Sequence, residues 1–316
     1  MTDVVALGEL LIDFATQSVD PEGYPTMAAH PGGAPANFLA ALTKFGAKTA
    51  LLGKVGSDTF GKLLLGTLQK AGIDTRGMVV TDDVFTTLAF VTFDTHGDRE
   101  FAFSRKPGAD TCLKFEEVDL TLIDEAKVFH FGTLSLTDEP ARSATQRCVA
   151  YAKENGKLLT YDPNLRKPLW KDLEEAKQQL LWGLSQADVV KISDEEVEFL
   201  FGLGVEDGAK HILENFGVKL VFVTCGAEGC FFKNEKAEGK VPSLEGIHVI
   251  DTTGAGDIFG GSAVWKLLQT CKAPEALNGD ELTEIVRFAC TSAGLSTTRS
   301  GGISSVPGYN EVLERM

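Results

Sequence analysis

The twelve residues Asp251-Thr-Thr-Gly-Ala-Gly-Asp-Ile-Phe-Gly-Gly-Ser262 combine two features that together could move a phosphoryl group. They follow a short apolar run, Ile247-His-Val-Ile250, that reads as a strand, and they open a segment, Ile258 to Leu268, with helical apolar spacing. Gly254 and Gly256 let consecutive backbone N–H groups turn toward one point at a helix N-terminus. Unpaired donors and the helix dipole favour an anion there. Asp257 sits at the rim of this site, in the first turn. A carboxylate so placed could take the proton of a hydroxyl that attacks phosphorus. It could equally do no more than stabilise the helix start. A short Gly-rich turn does not separate the two readings.

Other polar clusters share the same kind of position. Pro31-Gly-Gly-Ala-Pro-Ala-Asn37 opens a helical pattern that runs to Phe45. Gly32 and Gly33 allow close approach of backbone to a ligand. Asn37 either offers a sugar hydroxyl both a donor and an acceptor or simply starts its helix. Gly8-Glu-Leu-Leu-Ile-Asp13, Asp162-Pro-Asn-Leu-Arg166, Ser193-Asp-Glu-Glu196 and Thr224-Cys-Gly-Ala-Glu-Gly229 each follow a strand-like run, as Asp251–Asp257 does. Singly they are ordinary turn chemistry. Five clusters converging on the carboxyl edge of a parallel sheet describe a shared site. Two other motifs fail on detail. Gly56-Ser-Asp-Thr-Phe-Gly-Lys62 matches a phosphate loop up to its lysine, but Leu63 stands where a hydroxyl must hold magnesium. Gly254-Ala-Gly256 lacks the spacing of a dinucleotide fingerprint.

The elements that must position these residues alternate along the chain. Strand-like runs occur at Val4–Leu7, Thr49–Val55, Val128–Phe131, Lys157–Tyr161, Val189–Ile192, Leu220–Val223 and His248–Ile250. Helical spacing lies between them, as in Asn37–Phe45, Lys62–Ala71 and Ala141–Glu154. This rhythm predicts an α/β fold with a mostly parallel sheet covered by helices on both faces. One segment breaks it. Thr86–Phe93 and Arg99–Arg105 read as a hairpin around Asp94-Thr-His-Gly-Asp98. Alternation puts Arg99, Phe101, Phe103 and Arg105 on one face, which suits a lid over a site or an edge hairpin packed on the main sheet. The arginines favour the lid.

Composition narrows the function. The chain has 316 residues, enough to bury about 75% of its unfolded surface. It has 30 Lys and Arg against 45 Asp and Glu, a net charge of −15, which argues against nucleic acid or an anionic membrane as partner. Six scattered cysteines form no CxxC pair, so neither a disulfide framework nor a zinc site is expected. Met1-Thr-Asp-Val-Val has no basic and apolar leader pattern. The expectation is a reduced, cytoplasmic, globular protein.

The Asp251–Ser262 segment, Gly32-Gly-Ala-Pro-Ala-Asn37 and Val55-Gly-Ser-Asp-Thr-Phe-Gly61 resemble the two signatures of ribokinase-like (PfkB) sugar kinases. The resemblance runs from Val4 to about Pro307. Within that family Gly8–Asp13, Pro31–Asn37, Arg105-Lys-Pro-Gly-Ala-Asp110 and Tyr161–Arg166 are most like fructokinases. It implies a three-layer α/β/α fold, a single domain over 1–316 with small β-lid segments at about 11–30 and 86–105, and ATP-dependent phosphorylation of fructose. Asp257 would be the catalytic base, with Gly254, Ala255 and Gly256 donating to the transferred phosphoryl group and Arg166 reaching substrate or phosphate. Asp13, Gly32, Gly33 and Asn37 would bind sugar hydroxyls under Phe101, Phe103 and Arg105. Asn164, Ser193, Thr224, Gly226, Glu228 and Gly229 would line the ATP site, with Glu196 placing Mg2+ through water. Asp251 and Thr253, with carbonyls near Ser296, Arg299, Gly301 and Ser305, would hold an activating K+. The family pattern also implies a homodimer. The chain departs from it at Ser193 and Cys290, where asparagine is common. A 2-keto-3-deoxygluconate kinase, a nucleoside kinase and a non-catalytic sugar-binding relative are the alternatives.

Overall fold

The first apolar run is buried on both sides and pairs in parallel with Thr49–Leu52 and with Val128–Phe131. A parallel strand buried on both faces needs helical crossovers, and the chain supplies them in sequence. The computed structural model describes residues 2–93 and 99–316, without the side chains of residues 93 and 99–101. The expected turn Asp94–Asp98 and the side chain of Phe101 lie outside the described residues.

In chain order the strands are β1 (Val4–Leu7), β2 (Leu11–Val19), β3 (Pro25–Gly32), β4 (Thr49–Gly56), β5 (Met78–Thr81), β6 (Leu88–Phe93), β7 (Arg99–Ser104), β8 (Val128–Gly132), β9 (Leu158–Asp162), β10 (Val189–Ser193), β11 (Leu220–Thr224), β12 (Cys230–Asn234) and β13 (Glu238–Val241). The main sheet runs β13-β12-β11-β10-β9-β8-β1-β4-β5. It is parallel from β5 to β11 and closes with the antiparallel strands β12 and β13. The helices are α1 (Ala34–Lys44), α2 (Thr59–Ala71), α3 (Leu120–Glu125), α4 (Ala141–Glu154), α5 (Leu173–Gln186), α6 (Asp194–Phe201), α7 (Val205–Phe216), α8 (Ala255–Thr270), α9 (Gly279–Ser296) and α10 (Tyr309–Leu313). Val5 and Leu7 of β1 pack with apolar residues of α3 to α7, whereas Val4 and Ala6 pack with α1, α2, α8 and α9. That is the period-two consequence of a strand with a helix layer on each side. Among the described residues, no helix is long and apolar enough to cross a membrane.

Two packing details place the site. Helix α8 is buried along most of its length and crosses α1 closely. A Cβ on Gly261 would stand 2.3 Å from the carbonyl oxygen of Phe38, so only a bare backbone permits this approach. The crossing brings the N-terminus of α8 beside Asn37. The small sheet, ordered β3-β2-β6-β7, starts after Gly8, Glu9 and Leu10, the three residues that follow β1. On β2, Phe14 stacks on Phe90 at 5.3 Å and meets Phe60 of α2 edge-on at 5.5 Å. Its neighbours Asp13 and Ala15 line a cavity instead.

His248–Ile250 is not a strand. It is an exposed segment, with Ile250 62% accessible, and the N–H groups of Ile250 and Asp251 both donate to the carbonyl of Thr297. The α9 end holds it in place, and the sheet instead continues through β12 and β13.

Candidate active site

Gly254 precedes α8 with φ +75°, a left-handed conformation that glycine adopts without steric cost. The chain therefore turns sharply and presents the first amides of α8 at the carboxyl edge of the main sheet. Asp257 follows in that first turn. Its Oδ2 accepts from Nδ2 of Asn37 at 2.9 Å and its Oδ1 from Nδ2 of Asn164 at 3.3 Å. Removal from water raises its pKa above that of an ordinary aspartate, against the pull of the Asn37 hydrogen bond, Lys191 and Arg166.

Two cavities meet at this carboxylate. The first, about 430 Å³, lies between the small sheet and α8 and is lined by Glu9, Asp13, His30, Gly33, Asn37 and Phe103, among others. The second, about 390 Å³, lies over the ends of β10 and β11 and is lined by Lys191, Ser193, Glu196, Thr224, Gly226, Gly229, Ala255, Gly256 and Cys290. Asn164, Arg166, Thr252, Gly254 and Asp257 line both. A molecule in one cavity would touch a molecule in the other only here.

The charges on the two sides differ. In the first cavity, burial pushes Asp13 up to about 6, with Arg166 opposing and Asp257 and Asp251 reinforcing the shift. Burial likewise pushes Glu9 up to about 7, although its Oε1 accepts from the Ala34 N–H at 2.8 Å. Both are suited to hydrogen bonding with hydroxyl groups. Under the second cavity, Lys191 Nζ lies 3.0 Å from Asp162 Oδ2. Burial disfavours the ammonium, but Asp162, Glu196 and Asp257 outweigh it and keep Lys191 protonated. Its Nζ lies 3.0 Å from where a Cβ on Gly256 would stand. Lys191 and the helix N-terminus thus both present positive charge toward the second cavity, with Asp162 paired to the lysine.

Residues 1–308 match the pfkB family carbohydrate kinase profile. The chain belongs to that family. It is 43% identical over 315 residues to fructokinase-2 of Solanum lycopersicum, a match covering 98% of this chain and 94% of the relative. A fructokinase with bound ATP from Xylella fastidiosa superposes with a TM-score of 0.91 at 31% identity, covering 99% of this chain and 98% of that one. A fructokinase of Vibrio cholerae O395 in a fructose-, ADP- and calcium-bound form gives 0.86 at 29% identity, covering 100% and 99%.

In this pfkB kinase, most of the residues singled out in the sequence gather around the two cavities. Gly32 stands directly behind Asp13, where a Cβ would lie 2.1 Å from Oδ2. The Ser193 hydroxyl accepts from the Glu196 N–H at 3.2 Å and caps α6, and Glu196 Oε2 accepts from the Ser193 N–H in return. Asp251 sits at the rim of the first cavity. Burial would raise its pKa, but hydrogen bonds from Thr253, Gly301 and Ser300 hold it below the usual range. Those bonds join the Asp251 turn to the 296–305 segment. Within that segment the Ser296 and Ser305 hydroxyls bond local carbonyls and Arg299 pairs with Glu311.

Two expectations are corrected. Arg105 does not line the first cavity. Strand β7 ends at Ser104, so the alternation that would aim Arg105 there stops one residue early, and the side chain turns inward. It is 3% accessible, bonds Asp110 through Nε at 2.8 Å and Nη2 at 2.7 Å, and also reaches Thr137 Oγ1 and the Leu134 carbonyl. Glu228 does not line the second cavity either. It is an exposed residue of a short 3-10 turn and pairs with Lys240 at 2.9 Å.

Sequence reasoning passed over Glu9, His30, Asp162 and Lys191 as site residues. Lys191 had a readable signal, since a lysine inside Val189-Val-Lys-Ile-Ser193 is out of place in a buried strand without a partner. Glu9 and Asp162 lay inside clusters already noticed. His30 gave none.

Proposed function

We propose that this carbohydrate kinase transfers the γ-phosphoryl group of ATP to the C6 hydroxyl of D-fructose, giving fructose 6-phosphate and ADP. The meeting of two cavities at Asp257 carries the reading. The size of the first suits a monosaccharide held by Asp13, Glu9 and Asn37. The second, with Lys191 beneath the α8 amides, suits the phosphates of a nucleotide. The names and bound ligands of the similar fructokinases support the choice of fructose and ATP.

In the proposed step, the hydroxyl oxygen bonds to the γ-phosphorus as the bond from phosphorus to the β,γ-bridging oxygen breaks. The hydroxyl proton passes to the Asp257 carboxylate, and the bridging oxygen leaves on ADP with its electron pair. Asp257 is a suitable base because burial raises its pKa and so makes its carboxylate a better proton acceptor than an ordinary aspartate. The Gly254–Asp257 amides, Lys191 and Arg166 meet the charge that spreads over the phosphoryl oxygens. Mg2+ on the phosphates would neutralise part of that charge. Among the described residues no three acidic, histidine or cysteine side chains cluster to hold a metal. That suits an ion carried by phosphates and water with Glu196 nearby. K+ would fit where the Asp251 turn meets the 296–305 segment, beside a carboxylate held ionised. A cytoplasmic homodimer is part of the same proposal.

A coupled ADP-release assay on a sugar panel tests the substrate. Fructose should be turned over with kcat/KM at least about tenfold above 2-keto-3-deoxygluconate and adenosine. Turnover of 2-keto-3-deoxygluconate with fructose inert would move the kinase to keto-acid sugars. No turnover of any sugar would leave a binding protein.

A further inference from the structure

Asn164 has a backbone φ of +46°, a left-handed conformation uncommon for side-chain-bearing residues and tolerated best by asparagine and aspartate. It adopts this conformation at the seam of the two cavities, lining both. Its Nδ2 donates to Asp257 Oδ1 at 3.3 Å, while Asn37 Nδ2 donates to Oδ2 at 2.9 Å. One amide therefore holds each carboxylate oxygen, from segments well separated in the chain. A carboxylate gripped at both oxygens cannot rotate about its Cβ–Cγ bond without losing a partner. The segment carrying Asn164 is itself tied down. The neighbouring Leu165 N–H donates to Glu196 Oε1 at 2.7 Å, and Oε2 of the same carboxylate accepts from the Ser193 N–H at 2.9 Å. Asn164 is thus fixed to the start of α6, and its amide is fixed with it.

We propose that Asn164 is a positioning residue for Asp257. Its amide sets the rotation of the carboxylate so that a lone pair faces the attacking hydroxyl, and the left-handed backbone at 164 aims that amide. The inference rests on the proposed phosphoryl transfer. A turn requirement alone would be met by glycine, which adopts positive φ freely and has no amide. Misplacement of a reacting group by about 1 Å can cost roughly a hundredfold in rate, so a loosened base should be visible in kcat.

The test compares wild type, Asn164→Gly and Asn164→Asp in steady-state kinetics with ATP and whichever sugar the wild type phosphorylates. Asn164→Gly keeps the backbone conformation and should fold with an unchanged melting temperature. Its kcat should fall between about tenfold and a hundredfold, with KM for both substrates within about twofold of wild type. Asn164→Asp cannot donate and sets a second carboxylate against Asp257, so its kcat should fall further. A glycine variant with wild-type kcat would show that position 164 serves only the turn. A loss confined to KM would make Asn164 a ligand contact. Either result overturns the proposal. Failure of the functional reading looks different, because the wild type would then be inert toward every sugar and no slower variant could exist.

Discussion

Replacing Asp257 with alanine should lower kcat by at least about a hundredfold, the usual scale for losing a general base, with a much smaller change in KM for the sugar. Asp257→Asn should lose nearly as much. It keeps the size but turns an amide toward the Asn37 and Asn164 amides, where only an acceptor fits. The pH dependence has a definite sign. The base works ionised, so kcat should fall as pH drops through its pKa. Burial raises that pKa, so the acid limb should stand above the range of an ordinary aspartate. Asp13, pushed up to about 6, takes up its proton over the same fall in pH and should contribute to the limb of kcat/KM rather than to that of kcat. Steady-state kinetics across pH measure both. A variant at position 257 that turns over as fast as wild type would remove the base from the mechanism.

Arg105→Ala should destabilise the fold by about 3–5 kcal/mol, because it leaves Asp110 buried without its cation. The pair has almost no exposed side-chain surface, and Asp110 also accepts a hydrogen bond from the Thr87 hydroxyl. Replacing both partners, with Arg105→Met and Asp110→Leu, should cost less than the single change, since no lone charge then remains inside. Urea unfolding measures each. The sugar contact expected from the sequence makes the opposite forecast, in which Arg105→Ala raises KM for the sugar and leaves stability near wild type.

Arg105 also shows where sequence reading stopped. Alternation along Arg99–Arg105 is a sound rule while a strand lasts, but the strand ends at Ser104 and the next residue owes nothing to the pleat. The same limit applies to His248–Ile250, where a short run ending in Val249 and Ile250 looks like a strand whether or not a neighbour exists to pair with it. They lie exposed, and Ile250 borders the first cavity instead. The parallel strands were legible because burial on both faces demands unbroken runs such as Val4–Leu7 and Leu220–Val223. The glycine turn at 254 was legible because left-handed backbone narrows residue choice. Partnerships were not legible. Nothing local ties Asn164 to Asp257 or Lys191 to Asp162. Those pairs exist because the parallel crossovers return each strand end to one edge, and pairing distance is a property of the folded sheet.

The most direct test of phosphoryl transfer at Asp257 is a crystal structure with fructose and a non-hydrolysable ATP analogue bound together. Fructose should fill the cavity beneath the small sheet, with its C6 oxygen within about 3 Å of an Asp257 carboxylate oxygen. The same oxygen should lie in line with the γ-phosphorus and the bridging atom behind it. A complex in which the C6 hydroxyl points away from Asp257, or in which the phosphates lie clear of the Gly254–Asp257 turn, would contradict that mechanism.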